Sequence, residues 1–308
     1  MARVKLPENV WGIFGETLKI YMSEFFKFTG YMAFPVLGQL VGIIWVFAST
    51  FVLTDNFEYL VAKFPAINDF GPFMLAALLI ALPGLLLFLG AFWQYLIAYG
   101  SLNSMTEGVL TTGRVYDFAS HKEVITRRTS QYIILWLVYS IFLALASFPL
   151  LWVLGGIFFI YFILIFQAFT FAEDSELPVG GYFRKSFDLI RGNFAQTIAI
   201  SLLLVVVCFY LLPMGLNVIL GALNLNEFFT GAILPFVQNL PLESVNQTLT
   251  SFGAEAITPD LLAKSILEQI VFFIAFGFTL PLRSVCWTLW YKSLDNRKEK
   301  KPSKKSGR

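Results

Sequence analysis

Residues 194–223 read FAQTIAISLLLVVVCFYLLPMGLNVILGAL and hold no Asp, Glu, Lys or Arg. At about 1.5 Å per residue, a helix of this length exceeds the roughly 30 Å hydrocarbon core of a bilayer. A helix is also the form in which such a segment satisfies its own backbone polar groups without water. Five further stretches are also long and predominantly apolar: 28–53, 73–102, 131–152, 154–172 and 265–291, the last holding Glu268 and Arg283. The third and fourth lie almost end to end. Joined, they would make a rod of roughly 60 Å, twice the core thickness, so a hairpin is expected. Phe148-Pro149 and Gly155-Gly156 mark the expected turn.

Outward from these stretches, the composition agrees. The 308 residues are 57% hydrophobic and 14% charged, against roughly 25% charged in soluble domains. A soluble globular protein and a disordered chain are excluded. A net charge of +2 excludes nucleic acid as a partner, because no broad basic field is present to hold phosphates. Cys208 and Cys286 sit inside apolar runs and read as small hydrophobes, and the single histidine, His121, lies in a polar stretch. These residues make no zinc site of the usual kind, and no cofactor or metal is expected.

Nineteen of the 22 Lys and Arg residues fall in alternate connections. The leader 1–27 carries Arg3, Lys5, Lys19 and Lys27. The second-to-third connection carries Arg114, Lys122, Arg127 and Arg128, and the fourth-to-fifth carries Arg184, Lys185 and Arg191. The tail 292–308 carries the other eight. The positive-inside rule then puts both termini in the cytoplasm, with residues 28–291 as a six-span domain of a cell membrane, expected to be a bacterial inner membrane. The leader has acids and no continuous apolar core, so no cleaved signal is expected. The connection 224–262 faces outward. Its apolar pairs suggest short helices on the outer leaflet, and Asn246-Gln247-Thr248 fits a glycosylation acceptor.

The leader is periodic. Val10, Phe14, Leu18, Tyr21, Phe25 and Phe28 share one helical face, with Glu8, Gly12, Glu16, Lys19, Ser23 and Lys27 on the other. Before the fifth span, Val179, Tyr182, Phe183, Ser186, Phe187 and Ile190 oppose Arg184, Lys185, Asp188 and Arg191. Residues 113–130 have the basic residues and a ragged apolar face. The chain thus reads as three units, each a surface helix followed by two spans: an all-α polytopic membrane protein with amphipathic helices before spans 1, 3 and 5. These helices either bind anionic lipid or simply pack connecting segments on the membrane.

Residues that could carry chemistry are few. Glu173, Asp174 and Glu176 follow the fourth span and could hold a divalent cation or act as acid and base, or could cap the next helix and pair with Arg184, Lys185 and Arg191. Glu268 lies about a turn into the sixth span, where a carboxylate is either functional or reaches the interface beside Lys264. Arg283 lies in the same span and can snorkel toward the cytoplasm. Gln39, Gln94 and Gln167 can hydrogen-bond between helices. Pro35, Pro83, Pro149, Pro213 and Pro281 bend or break five spans. No HExxH, Walker, GxSxG or GxGxxG pattern occurs, so no enzyme is expected.

Two stretches carry a resemblance. One is Phe171-Ala172-Glu173-Asp174 with the amphipathic segment ending Ile190-Arg191-Gly192-Asn193. The other is Trp287-Thr288-Leu289-Trp290-Tyr291-Lys292-Ser293-Leu294-Asp295 followed by Arg297-Lys298-Glu299. With the six-span layout, the chain resembles the membrane domain attached to some glycerophosphoryl diester phosphodiesterases, and its stand-alone bacterial relatives. The resemblance implies fold and membrane location. Catalysis in that family belongs to a separate barrel, for which no room is expected after the sixth span, so no catalytic residue carries over.

The expected function is therefore an accessory integral membrane protein, handling lipid or supporting a protein partner. The alternatives are a small-solute transporter and an intramembrane enzyme using Glu173 and Asp174. A transporter calls for polar residues converging at midplane, where these spans read as nearly all apolar.

Overall fold

The computed structural model describes residues 6–172, 177–238, 240 and 242–300, and no strand occurs among them. The helices are α1 (Val10–Ser23), α2 (Phe25–Asp55), α3 (Phe57–Lys63), α4 (Phe70–Thr112), α5 (Phe118–Thr126), α6 (Thr129–Ala146), α7 (Trp152–Phe162) and α8 (Ile165–Thr170). There follow α9 (Val179–Ile190), α10 (Phe194–Val205), α11 (Leu212–Ala222), α12 (Leu225–Val237), α13 (Glu243–Ser251), α14 (Pro259–Phe278) and α15 (Leu280–Lys300). Among the described residues six helical stretches are long and apolar enough to cross a membrane: Phe25–Asp55, Phe70–Thr112, Thr129–Ala146, Trp152–Thr170, Phe194–Ala222 and Pro259–Lys298. The protein is an all-α helical membrane protein, and α1, α5 and α9 stand before the first, third and fifth of these stretches.

The described chain forms two compact units. One comprises residues 6–32, 95–205 and 279–300. In it α15 is the central helix, packed by α1, α8 and α9. Trp290 and Tyr291 of α15 are buried, and the Trp290 indole donates to Thr197 Oγ1 of α10 at 3.1 Å. The helix does not stop at Tyr291, where the tail was expected to begin. Arg297, a turn and a half further on, donates through Nη1 to Asn193 Oδ1 at 3.3 Å, and Ser293 Oγ donates to the Pro7 carbonyl at 2.9 Å. Ser293 and Arg297, expected in the tail, thus fasten the start of α1 and the α9–α10 elbow.

The face of α1 differs from the expected stripe. Ile13, Thr17 and Ile20 are buried, while Val10, Phe14 and Tyr21 are half-buried and Leu18 is exposed. The docked row is rotated because Thr17 is a good core residue in a helix: its hydroxyl donates to the Ile13 carbonyl at 2.7 Å, so it carries no unmet polar group inward. For α9 the expected Tyr182, Ser186 and Ile190 are buried, joined by Leu189. Ser186 Oγ donates to the Tyr161 carbonyl of α7 at 2.7 Å.

The α6–α7 hairpin turns at the expected Phe148-Pro149, over Ser147, Phe148 and a 3-10 turn at Pro149–Leu151, and does not extend to Gly155-Gly156. Gly155 lies inside α7 instead. A Cβ there would collide with Ala146, so its role is to let the two helices meet.

The second unit comprises residues 33–94 and 206–278. Its closest approach is between α2 and α4. A Cβ on Gly42 would lie 2.7 Å from the Gly84 carbonyl oxygen and 2.7 Å from the Phe88 nitrogen; one on Gly38 would lie 2.8 Å from Ala91 Cβ. Trp45 donates its indole N–H to the Ile80 carbonyl at 3.0 Å, a turn before Pro83. Pro35 and Pro83 are accommodated inside continuous helices. Pro213 instead follows a π-helical turn, Val206–Leu211. In the connection 224–262 the expected short helices are α12 and α13, and α12 packs on α14. The Asn246 amide donates to the Ile257 carbonyl at 3.0 Å and accepts from its N–H at 2.7 Å, tying α13 to the segment before α14.

Gly42 and Gly90 provide a matched pair. Gly42→Ala drives a methyl into backbone that has no rotamer to yield, and should lower stability by about 1–3 kcal/mol. Gly90 has open space around its Cβ position, so Gly90→Ala should be neutral or stabilising by about 0.5–1 kcal/mol. Unfolding of the purified protein in detergent measures both. Equal behaviour of the two variants would contradict the close approach.

Candidate functional site

In the first unit, α4, α8 and α15 bring five polar side chains together. Asn103 of α4 is fully buried. Its Oδ1 accepts from Ser284 Oγ at 2.6 Å, Thr288 Oγ1 at 3.1 Å and Gln167 Nε2 at 3.2 Å. Its Nδ2 donates to Thr170 Oγ1 at 3.3 Å, and Thr170 sends its own proton to the Phe166 carbonyl at 2.7 Å. Gln167, Thr170, Ser284 and Thr288 are themselves buried. The Gln167 Oε1 is buried without a partner. In low dielectric such bonds strengthen, and losing one partner strands the others.

Helical spacing builds the site. Ser284, Thr288 and Lys292 are one turn apart on α15, and Asn103 and Glu107 are one turn apart on α4, so each helix presents one polar row. The rows end in an ion pair, Lys292 Nζ to Glu107 Oε1 at 2.6 Å, with Lys292 also 4.2 Å from the Phe171 ring centroid. Both partners retain solvent contact, so the pair itself adds little stability.

A second face of α4 seats α5. Gly100, Ser104 and Gly108 recur every fourth residue. A Cβ on Gly100 would strike Ile125, and one on Gly108 would lie 3.0 Å from the Tyr116 ring and 3.2 Å from His121. His121 is fully buried, bonded through Nδ1 to Ser104 Oγ at 3.0 Å and packed against the Tyr116 ring, 4.1 Å between centroids and tilted by 38°. Its Nε2 is buried without a partner. Burial holds the imidazole below its ordinary pKa, and the charge of Asp117 opposes this. Asp117 caps α5, accepting from the Ala119 and Ser120 N–H groups, and these bonds hold its carboxyl below the usual range.

The residues picked from sequence do not converge. Glu173 and Asp174 lie outside the described residues, and the cap position of α9 is taken by Pro178, which makes no side-chain cap bond. Glu268 is exposed on α14, a turn from the equally exposed Lys264. Arg283 is half-buried on α15 beside the Tyr95 hydroxyl. Among the described residues no group of three or more His, Cys, Asp or Glu could hold a metal. Gln167 does bond between helices, whereas Gln39 donates to the Pro35 carbonyl of its own helix at 2.6 Å. The reading of the span midplanes as nearly all apolar did not pick out Thr170, Ser284 and Thr288, and Asn103 falls one residue past the expected end of the second span, 73–102. Their four-residue spacing inside apolar helices was the available signal. Compared with known protein families, characterised proteins and solved structures, the chain matches none.

Two outcomes follow for the site. Asn103→Ala strands three donors, but Ser284 and Thr288 can turn to their own helix carbonyls, so the expected loss is about 1–2 kcal/mol rather than the sum of the bonds. Thr106→Ala, where the hydroxyl serves only the Leu102 carbonyl, should cost less. Comparable melting of wild type and Asn103→Ala would show that the cluster does not hold the helices. His121 predicts a pH dependence. Its folded form resists protonation more than the unfolded chain does, so its contribution is full above about pH 6.5 and is lost as pH falls. Asp117 loses its contribution only further down, in the carboxylate range, so a melting series between pH 5 and pH 7 (roughly one unit or more from that range) isolates the imidazole. His121→Gln should flatten that series, and an unchanged slope would assign it to another group.

Proposed function

We propose that this protein is an accessory integral membrane protein, without a catalytic centre of its own, that engages anionic lipid headgroups through the basic residues of its cytoplasmic connections. The reading puts it in a bacterial inner membrane with both termini inside. It is carried by one observation about charge. Arg114, Lys122, Arg127, Arg184 and Arg191, in and beside α5 and α9, form no ion pair with a described residue. In the same unit Glu16, Glu24, Glu107 and Asp295 are taken by other cations and Asp117 by its cap, and in and beside α5 and α9 the five cations outnumber the remaining acids Glu123 and Asp188. Free basic residues next to membrane-crossing helices attract an anionic leaflet by about 1 kcal/mol each. The likeness to the membrane domain of glycerophosphoryl diester phosphodiesterases supports an accessory role, since that domain sits beside the enzyme and not within it.

The Asn103 cluster favours a second reading, a small-solute transporter, because buried polar groups inside membrane helices mark pathways as well as joints. The two readings separate by mutation. Phosphatidylglycerol or cardiolipin added to the detergent-purified protein should raise its melting temperature, and Gln substitutions at the five basic positions should remove most of that shift. Asn103→Ala should leave the shift in place. A shift that survives the Gln substitutions would end the headgroup reading, and a reporter fused after Arg308 that is active outside the cytoplasm would overturn the topology beneath it.

A further inference from the structure

Once Ile13, Thr17 and Ile20 have docked, α1 still shows a second apolar row. Trp11 is 74% exposed, Leu18 39%, Met22 66% and, just into α2, Phe26 88%. With Gly15, whose Cβ position is open, these residues follow one another at spacings of three or four. That is the period of a single helix face, opposite the docked one. A soluble protein would not leave such a row in water.

Its place in the chain says what covers it. Only Glu24 separates α1 from α2, and α2 has 31 residues, about 46 Å of helix against a hydrocarbon core of roughly 30 Å. When α2 crosses, its first turn projects into or past the headgroup layer, and α1 is attached there. Asn9 fixes the start of α1 by accepting from the Gly12 N–H at 2.6 Å, and Ser293 holds Pro7, so the helix is a rigid part of the fold and not a free leader. A Trp, Leu, Met and Phe row at that level is the composition of an interfacial helix.

Charge decides how it binds. Within α1 the ionised side chains are Glu16 and Lys19, 3.3 Å apart; just beyond it Glu24 and Lys27 are 2.8 Å apart, and Lys27 also donates to the Val115 carbonyl at 3.0 Å. Each lysine is matched by a carboxylate within a turn, so the helix surface offers an anionic leaflet no net attraction. We infer that α1 is a hydrophobic, charge-compensated anchor whose Trp11, Leu18, Met22 and Phe26 row inserts among phospholipid acyl chains regardless of headgroup charge. The inference rests on the membrane reading above but not on its headgroup preference, which is assigned to other helices.

Site-directed nitroxides test it on the full-length protein in nanodiscs. Both native cysteines are buried, so the parent chain serves as the blank. Labels at Met22→Cys and Phe26→Cys, with Trp11→Cys as a third site, should be accessible to oxygen and protected from a water-soluble nickel chelate. A label at the exposed Glu8→Cys should show the reverse. The pattern should be the same in pure phosphatidylcholine and with phosphatidylglycerol added. Nickel access at Met22 and Phe26 in both lipids would overturn the proposal. Protection that appears only with the anionic lipid would overturn it in favour of electrostatic binding, and dipolar broadening between labels would overturn it in favour of a second copy of the chain. Loss of the cardiolipin shift in the Gln variants bears on the headgroup reading alone, so the two ideas fail separately.

Discussion

Lipid as a solvent removes the usual reason for helices to choose one another. An apolar side chain gains little by leaving acyl chains for a neighbouring helix, so specific packing must come from close steric fit and from polar groups that cannot be left alone. The Asn103 amide is where this constraint acts most strongly. One carboxamide takes three donors and gives one, and so joins α4 to α8 and α15 across 64 to 185 residues of sequence. Any other arrangement of these helices leaves the Asn103 amide to find new partners, at a cost of about 1–2 kcal/mol, because the hydroxyls of Ser284 and Thr288 can fall back on their own helix carbonyls. The glycines supply the steric half. Gly42 meets the Gly84 backbone in one unit, and Gly100 and Gly108 admit Ile125 and His121 in the other.

The number and course of the apolar helices were legible because they depend on a sum over some twenty residues, and single errors average out. The same averaging hides what joins them. Asn103 sits in Leu102-Asn103-Ser104-Met105, and Ser284 and Thr288 lie among Leu282, Val285 and Cys286; a hydropathy window reads both as apolar helix. Only the four-residue spacing of Ser284, Thr288 and Lys292 against that of Asn103 and Glu107 points to a shared polar row, and nothing local says that the two rows face each other. Phe148-Pro149 marked the hairpin turn, but Gly155-Gly156 was included in it for a related reason. Glycine marks both turns and close helix contacts, and only the position of Ala146 distinguishes them.

Amphipathic periodicity was similarly ambiguous in α1, which has two apolar faces. A stripe drawn through Val10, Phe14, Leu18 and Tyr21 runs between them and bisects the pattern. The docked face is chosen by what α15 can receive: Ile13 and Ile20 with a threonine that satisfies itself, not the bulkier Trp11 and Met22. Steric fit to one helix assigns one face to protein, and the remaining face inherits the environment at the start of α2.

The basic residues divide by the same logic. Counting them along the sequence treats each as an equal vote on topology, yet the structure gives them three kinds of work. Lys292 and Arg297 are spent inside the fold, on Glu107 and on Asn193 and the start of α1. Lys19 and Lys27 are matched by neighbouring carboxylates. Arg114, Lys122, Arg127, Arg184 and Arg191 have no ion pair among the described residues. A cation already paired gains little from a phosphate, because it must give up one partner to take another, whereas an unpaired one gains the whole interaction at the leaflet. On the proposed reading, lipid engagement concentrates on these residues in and beside α5 and α9, while α1 contributes apolar area. Two different forces, one screened by salt and one not, thus enter the proposed attachment.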